Sequence, residues 1–273
     1  MKNLAVAVIL VFIGVIAWYF GVHRQDETEP AAVPVTIPEP VVNTVSTPPP
    51  VRFPVPAPEP VESETPAPAV VTEPLPGLDD SSTPFKDRMA GIHDVGELDN
   101  LFIFDSIIRH FVVTVDNMTA QVLPQKFGFY RTLAGVFAVQ KQGQETFVLD
   151  PVNYQRYTPY VRFFQALDLQ AVTSLYFEYY PLFQQAYVEL GYPDRYFNDR
   201  FVEVIDHLLQ APEIEDGITL LQPKVYFTFT DPELEALSAG QKILIRMGPA
   251  NTRQVKQRLR ILRALLTSTQ PAR

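Results

Sequence analysis

Cysteine is missing from the whole 273-residue chain. That excludes disulfides, thiolate metal sites and a cysteine nucleophile, and it fits an exported protein that folds without oxidative help. Positive charge is short as well: 22 Lys and Arg against 31 Asp and Glu leave a net charge of -9. General nucleic-acid binding, which needs a basic surface, is therefore not expected. No HExxH, GxSxG, P-loop or GxGxxG pattern occurs, so metal and nucleotide chemistry have no positive support and no cofactor is expected. Among the scattered histidines, His207 has an immediate acidic neighbour, Asp206. Adjacent residues on a helix point apart, so that pair is no catalytic dyad.

What is present begins with Leu4–Val22, a run of about nineteen residues without a charge, enough to cross a bilayer core. Lys2 lies before it, and Arg24 is the firm positive charge just after it, ahead of Asp26, Glu27 and Glu29. This bias places residues 1–3 in the cytoplasm and exports the remainder. Trp18, Tyr19 and Phe20 gather at the far end, where amphipathic rings prefer the interface. A cleaved signal peptide is the competing reading. Its apolar region is shorter and ends in small residues, whereas this one ends in Trp-Tyr-Phe. The expectation is a retained signal anchor at 4–22.

Proline then fills about a third of Pro30–Pro76, and a residue with no amide donor and a set φ neither propagates a helix nor pairs inside a sheet. The expectation for 23–77 is a disordered linker biased to polyproline II, acting as a spacer. A PxxP docking site is the alternative reading of the same stretch.

Residues 78–270 are the size of one domain. Apolar residues from Leu98 to Val112 recur at three-to-four spacing and predict a helix over Glu97–Val113. Val136–Gln140 and Thr146–Leu149 around a Gly-bearing loop predict a hairpin. Thr158-Pro159 offers a cap with a first-turn proline, although the helix can already begin near Asn153, and Asp168 caps a helix over Leu169–Leu190 that Pro181 should kink or split. Asn198 is expected to cap Asp199–Gln210. Ile218–Leu221 and Val225–Thr230 read as edge strands because of Pro223. Asp231, Ser238 and Asn251 are expected to open the last helices. The fold class is mainly α with a small antiparallel β element, a single globular domain behind a transmembrane helix and a linker.

Three stretches are candidates for function. Tyr176, Tyr180 and Tyr187 share a helical face with Glu178 among them; this is core packing, or a sugar groove with Glu178 or Glu189 as an acid. Tyr192, Asp194, Arg195, Tyr196, Asn198, Asp199 and Arg200 form a dense polar-aromatic turn, either cap and ion pairs or a recognition loop for a ligand or partner. After Glu235 there is no acidic residue, and Arg253, Lys256, Arg260 and Arg263 fall on one stripe. That stripe is a solvated face, or a contact for something anionic.

Thr114–Asn117, Asp150–Tyr154 with Arg156-Tyr157, Tyr180–Tyr187, Leu234–Ser238, and Arg246–Gly248 with Asn251 resemble an uncharacterised proteobacterial family catalogued only as a domain of unknown function. That family has the same anchor, proline-rich linker and distal domain. The resemblance covers roughly residues 95–266 and implies a Gram-negative inner-membrane location, with no implied activity. The expectation is a bitopic inner-membrane protein with a periplasmic binding or scaffolding module, whose partners are envelope proteins or peptidoglycan. A glycan-binding or glycan-hydrolysing enzyme of the cell wall is the alternative.

Overall fold

The computed structural model describes residues 50–56, 74–92, 95–124, 126, 128–131, 133–215 and 217–268. The cytoplasmic tip at 1–3, the anchor at 4–22 and most of the 23–77 linker lie outside the described residues. Among the described residues no helix is long and apolar enough to cross a membrane.

The domain is mainly helical with one small antiparallel sheet. After a 3-10 turn at Leu78–Asp80 come α1 (Ser82–Ala90), α2 (Val95–Leu101), α3 (Ile107–Asn117), β1 (Val139–Lys141), β2 (Thr146–Leu149), α4 (Val152–Ala166) and α5 (Leu169–Glu189). Then follow α6 (Phe197–Leu209), β3 (Thr219–Leu221), β4 (Thr228–Phe229), α7 (Pro232–Glu235), α8 (Ala239–Arg246) and α9 (Pro249–Thr267). Helix α5 packs on α3, while α9 lies against α4, α5 and α6. Their shared interior is rich in rings, with Phe85, Phe111, Phe163, Tyr176, Phe183 and Phe197 all buried. A smaller cluster of Leu149, Ile218, Leu220, Phe229 and Ile245 joins the sheet to α8.

Local signals set the helix starts where a side chain reaches its own first turn. The Asp168 carboxylate accepts from Gln170 and Ala171 N–H at the head of α5, and Asp231 accepts from Glu233 N–H. Ser238 and Gln241 complete a reciprocal capping box at α8. Two asparagine caps are corrected. Asn198 lies inside α6, whose cap position is Tyr196. Asn251 lies inside α9, which begins at Pro249 after Gly248, because proline at the first helical position is pre-set for that start. Asn251 instead donates to the carbonyls of Tyr154 and Met247. Helix α4 takes the earlier of its two expected starts: it opens at Val152, beside Asn153, rather than at Thr158-Pro159, and the Val152 N–H donates to the Asp150 carboxylate at 2.9 Å. The expected break at Pro181 does not divide α5, which runs as one helix.

The helix expected over Glu97–Val113 is two helices. Between them Phe102 pairs with Tyr130 in an antiparallel bridge, and Ile103 N–H donates to the Phe129 carbonyl at 2.6 Å. Partners from a distant stretch replace the next helical hydrogen bonds, and Ser106 turns the chain at φ 46. The sheet has the order β1-β2-β3-β4, with Val148 opposite Thr219 and Leu220 opposite Phe229. Strand β3, expected at an edge, is interior because Pro223 falls beyond it in the turn.

Helix α8 starts against the end of α3: Ala239 N–H donates to the Ala120 carbonyl at 2.7 Å and Gly240 N–H to that of Met118 at 3.1 Å. A Cβ on Gly240 would lie 2.5 Å from Leu208 Cδ2 and 2.9 Å from the Met118 carbonyl oxygen. Alanine normally improves a helix over glycine by about 1 kcal/mol. Here the sign reverses: Gly240→Ala is expected to destabilise by about 1–3 kcal/mol, because backbone must move. Urea denaturation checks it, and equal or greater stability of the variant contradicts this packing.

Candidate functional site

The N-terminal corner of α6 gathers polar groups from four parts of the chain. Phe197 and Phe201 are buried on the core side. Gln184 of α5 caps the helix from outside its own sequence: its Oε1 accepts from Phe197 N–H at 2.8 Å and its amide donates to the Arg195 carbonyl at 2.7 Å. Tyr180 donates to the same Oε1 at 3.0 Å. Asn198 is completely buried. Its Oδ1 accepts from the Tyr176 hydroxyl at 3.2 Å, and its amide donates to the Leu266 carbonyl at 3.3 Å.

Against this corner lies a piece of the proline-rich stretch. The Asp199 carboxylate accepts from two successive backbone N–H groups, those of Arg52 at 3.0 Å and Phe53 at 2.7 Å. The Asn198 amide also donates to the Phe53 carbonyl at 2.9 Å. The Phe53 ring packs on the main core, and the Arg52 guanidinium stands 5.5 Å from its centroid. Residues 50–56, expected inside a disordered linker, are thus seated on the domain. Proline content shows which regular structures a stretch avoids; it does not show that the remaining N–H groups find a carboxylate.

The predicted recognition turn divides in two. Asn198 and Asp199 face the seated segment. Tyr192 and Arg200 serve the interior: Tyr192 stacks on Tyr187 at 4.7 Å and donates to Asp116 at 3.2 Å, while the exposed Arg195 lies over its ring. The Asp116 charge beside it pushes the Tyr192 hydroxyl above its ordinary pKa. Arg200 clamps the end of α3 through the Asp116 carboxylate at 2.8 Å, the Asp116 carbonyl at 2.7 Å and the Thr119 hydroxyl at 2.8 Å. Asp194 is exposed and Tyr196 half-buried beside the seat. Sequence reading missed Phe53, Tyr176 as a positioning group, Gln184 and Asp116, since all four act across long sequence separations.

The other two candidates resolve into structure. Tyr176 is buried, and burial raises its hydroxyl pKa well above the ordinary value. Glu178 is exposed and held by both nitrogens of Arg88 at 2.5 and 2.6 Å; Glu189 pairs with Arg109. Eleven residues apart on one helix, the two carboxylates stand about 16 Å from each other along its axis, beyond the roughly 5–9.5 Å of a glycosidase pair.

The basic stripe is occupied by acids from earlier in the chain. Arg253 pairs with Glu215 at 2.7 Å and Arg263 with Asp206. Lys256, expected on the outer face, is corrected: it is buried, and its ammonium donates to the Ala211 carbonyl at 2.6 Å and to Glu213 at 2.9 Å. A buried ammonium persists where such partners replace water. That pairing holds the Glu213 carboxyl below its ordinary pKa. Arg260 stays exposed. Among the described residues no group of three or more His, Cys, Asp or Glu could hold a metal ion.

Residues 107–263 match the family model described as "Protein of unknown function (DUF3014)". The chain belongs to that family. No curated protein and no solved structure matches it. The DUF3014 span contains Tyr176, Asn198 and Asp199, while the segment seated on them lies before it.

One further polar contact within the DUF3014 span governs pH response. His207 Nε2 lies 2.8 Å from the Ser238 hydroxyl, which caps α8. Burial holds the imidazoles of His207 and His110 below the ordinary value of 6.5. The unfolded chain therefore takes up these protons first as pH falls. The stability owed to the neutral rings is full above about pH 7.5 and is lost as pH drops through the unfolded value. The thermal midpoint is expected to be lower at about pH 5.5 than at pH 7.5, and His207→Gln to narrow the gap. A midpoint that holds or rises on acidification contradicts this.

Proposed function

We propose that the protein is a bitopic inner-membrane protein whose helical domain is a binding module in the periplasm, tethered by its proline-rich stretch to an anchor at 4–22. Its recognition surface is the corner around Asn198 and Asp199. The observation that carries the reading is the Asp199 carboxylate, turned away from its own helix and bonded to two consecutive N–H groups of a segment that bends to present them. A carboxylate in the first turn of a helix ordinarily serves that helix's own open N–H groups. One that serves another piece of backbone reads main chain, as peptide-recognition modules do.

Two measurements test the proposal. A reporter enzyme active only after export, fused behind Arg273, is expected to be active; activity of a cytoplasm-only reporter in its place overturns the topology. A photoreactive phenylalanine analogue in place of the exposed Asp194 is expected to give discrete crosslinks to envelope proteins in cells. Their complete absence, with the chain folded and abundant, overturns the binding role.

A further inference from the structure

Residues 50–56 read PVRFPVP, and the corner answers them position by position. Prolines at 50, 54 and 56 have no N–H; of the remaining donors, those of Arg52 and Phe53 go to Asp199. The Phe53 carbonyl takes the Asn198 amide. The chain bends at Arg52 and Phe53, which turns their two successive N–H groups to one side; Phe53, Val55 and Pro56 are half-buried, while Val51, Arg52 and Pro54 face solvent. Pro54 also biases Phe53 away from the helical region before any contact is made. The receiving side is built in advance. Asn198 is fully buried with the segment in place, and the Tyr176 hydroxyl holds it from behind.

The hold is slight. Three hydrogen bonds and three half-buried side chains, those of Phe53, Val55 and Pro56, oppose the ordering of a short segment whose Val51, Arg52 and Pro54 remain in water. The segment lies outside the matched family span, and residues 57–73 separate it in sequence from the domain.

We infer that this corner is a binding site for a peptide that bends at an aromatic residue followed by proline and an aliphatic residue, and that Pro50–Pro56 is its exchangeable occupant, displaced when a partner protein presents the same pattern. The inference rests on the binding-module reading and names the ligand class of that site.

Limited proteolysis of the full chain in detergent micelles tests it, because trypsin reaches the Arg52–Phe53 bond only when the segment leaves the corner. The probe is the heptapeptide of residues 50–56 carrying Arg52→Gln, which trypsin does not cut. At millimolar concentration it is expected to speed cleavage at Arg52 by about tenfold, since cleavage follows the open population. The same peptide with Phe53→Ala is expected to leave the rate unchanged. Asp199→Asn in the chain is expected to give the fast rate without peptide, and so is Phe53→Ala, which leaves the helical core untouched; unchanged cleavage within the domain checks that both variants fold. A wild-type rate already equal to that of Asp199→Asn, or one indifferent to the peptide, overturns the inference. A rate that falls as the chain is concentrated would seat a second copy's segment on the corner and overturn the occupancy within one chain. If crosslinks from position 194 to an envelope protein persist after such a failure, the binding module stands and only its ligand class falls.

Discussion

Phe197 and Phe201 stand one helical turn apart, their rings stacked at 6.1 Å, inside a cage of Phe111, Tyr176 and Phe183. Phe111 meets Phe201 edge-on at 5.7 Å and Phe183 at 5.5 Å; Phe183 stacks on Phe197 at 6.0 Å. Each such pair contributes about 0.5–1.5 kcal/mol beyond its buried area, and each prefers a definite geometry. The cage therefore sets the rotation of α6 about its axis as well as its place. With 197 and 201 inward, the residues between them turn to the flank, which is where Asn198 and Asp199 meet the chain's own proline-rich segment. The same Tyr176 that packs in the cage supplies the hydroxyl that orients Asn198.

Charge is arranged over a longer range. The stretch after Glu235 carries cations without acids, and their counterparts sit on the segments before it. Lys242 and Lys256 reach inward to Glu235 and Glu213, and Arg263 reaches Asp206. Each buried ammonium also meets a backbone carbonyl, so its loss of water is matched by directed hydrogen bonds. Paired carboxylates and arginines on the surface contribute less, because solvent screens them. Part of the uneven charge along the chain is thereby paired where α8 and α9 meet the segments before them.

These two features divide what could be read in the sequence from what could not. Caps at Asp168, Asp231 and Ser238 were legible because donor and acceptor lie within three residues. The mainly helical class followed from apolar spacing that survives in α5, α6 and α9. The break between α2 and α3 was not legible, since the pairing of Phe102 with Tyr130 brings together residues whose separation spacing does not encode. The polar turn at 192–200 stood out by composition, yet its division into an inward half and an outward half depends on Asp116 and on the cage. Residues 50–56 gave no local sign of docking, for their partners lie at 198 and 199.

A ligand carried on the same chain as its site is present at an effective concentration on the order of millimolar for a short flexible linker, however few copies the cell holds. In the inferred exchange, the corner around Asn198 and Asp199 is open to an outside sequence only while its own segment is away. The built-in rival would raise the threshold such a sequence must pass. One that binds more tightly, or is presented many times on a surface, would clear it, so selectivity would arise from the tether as much as from the corner.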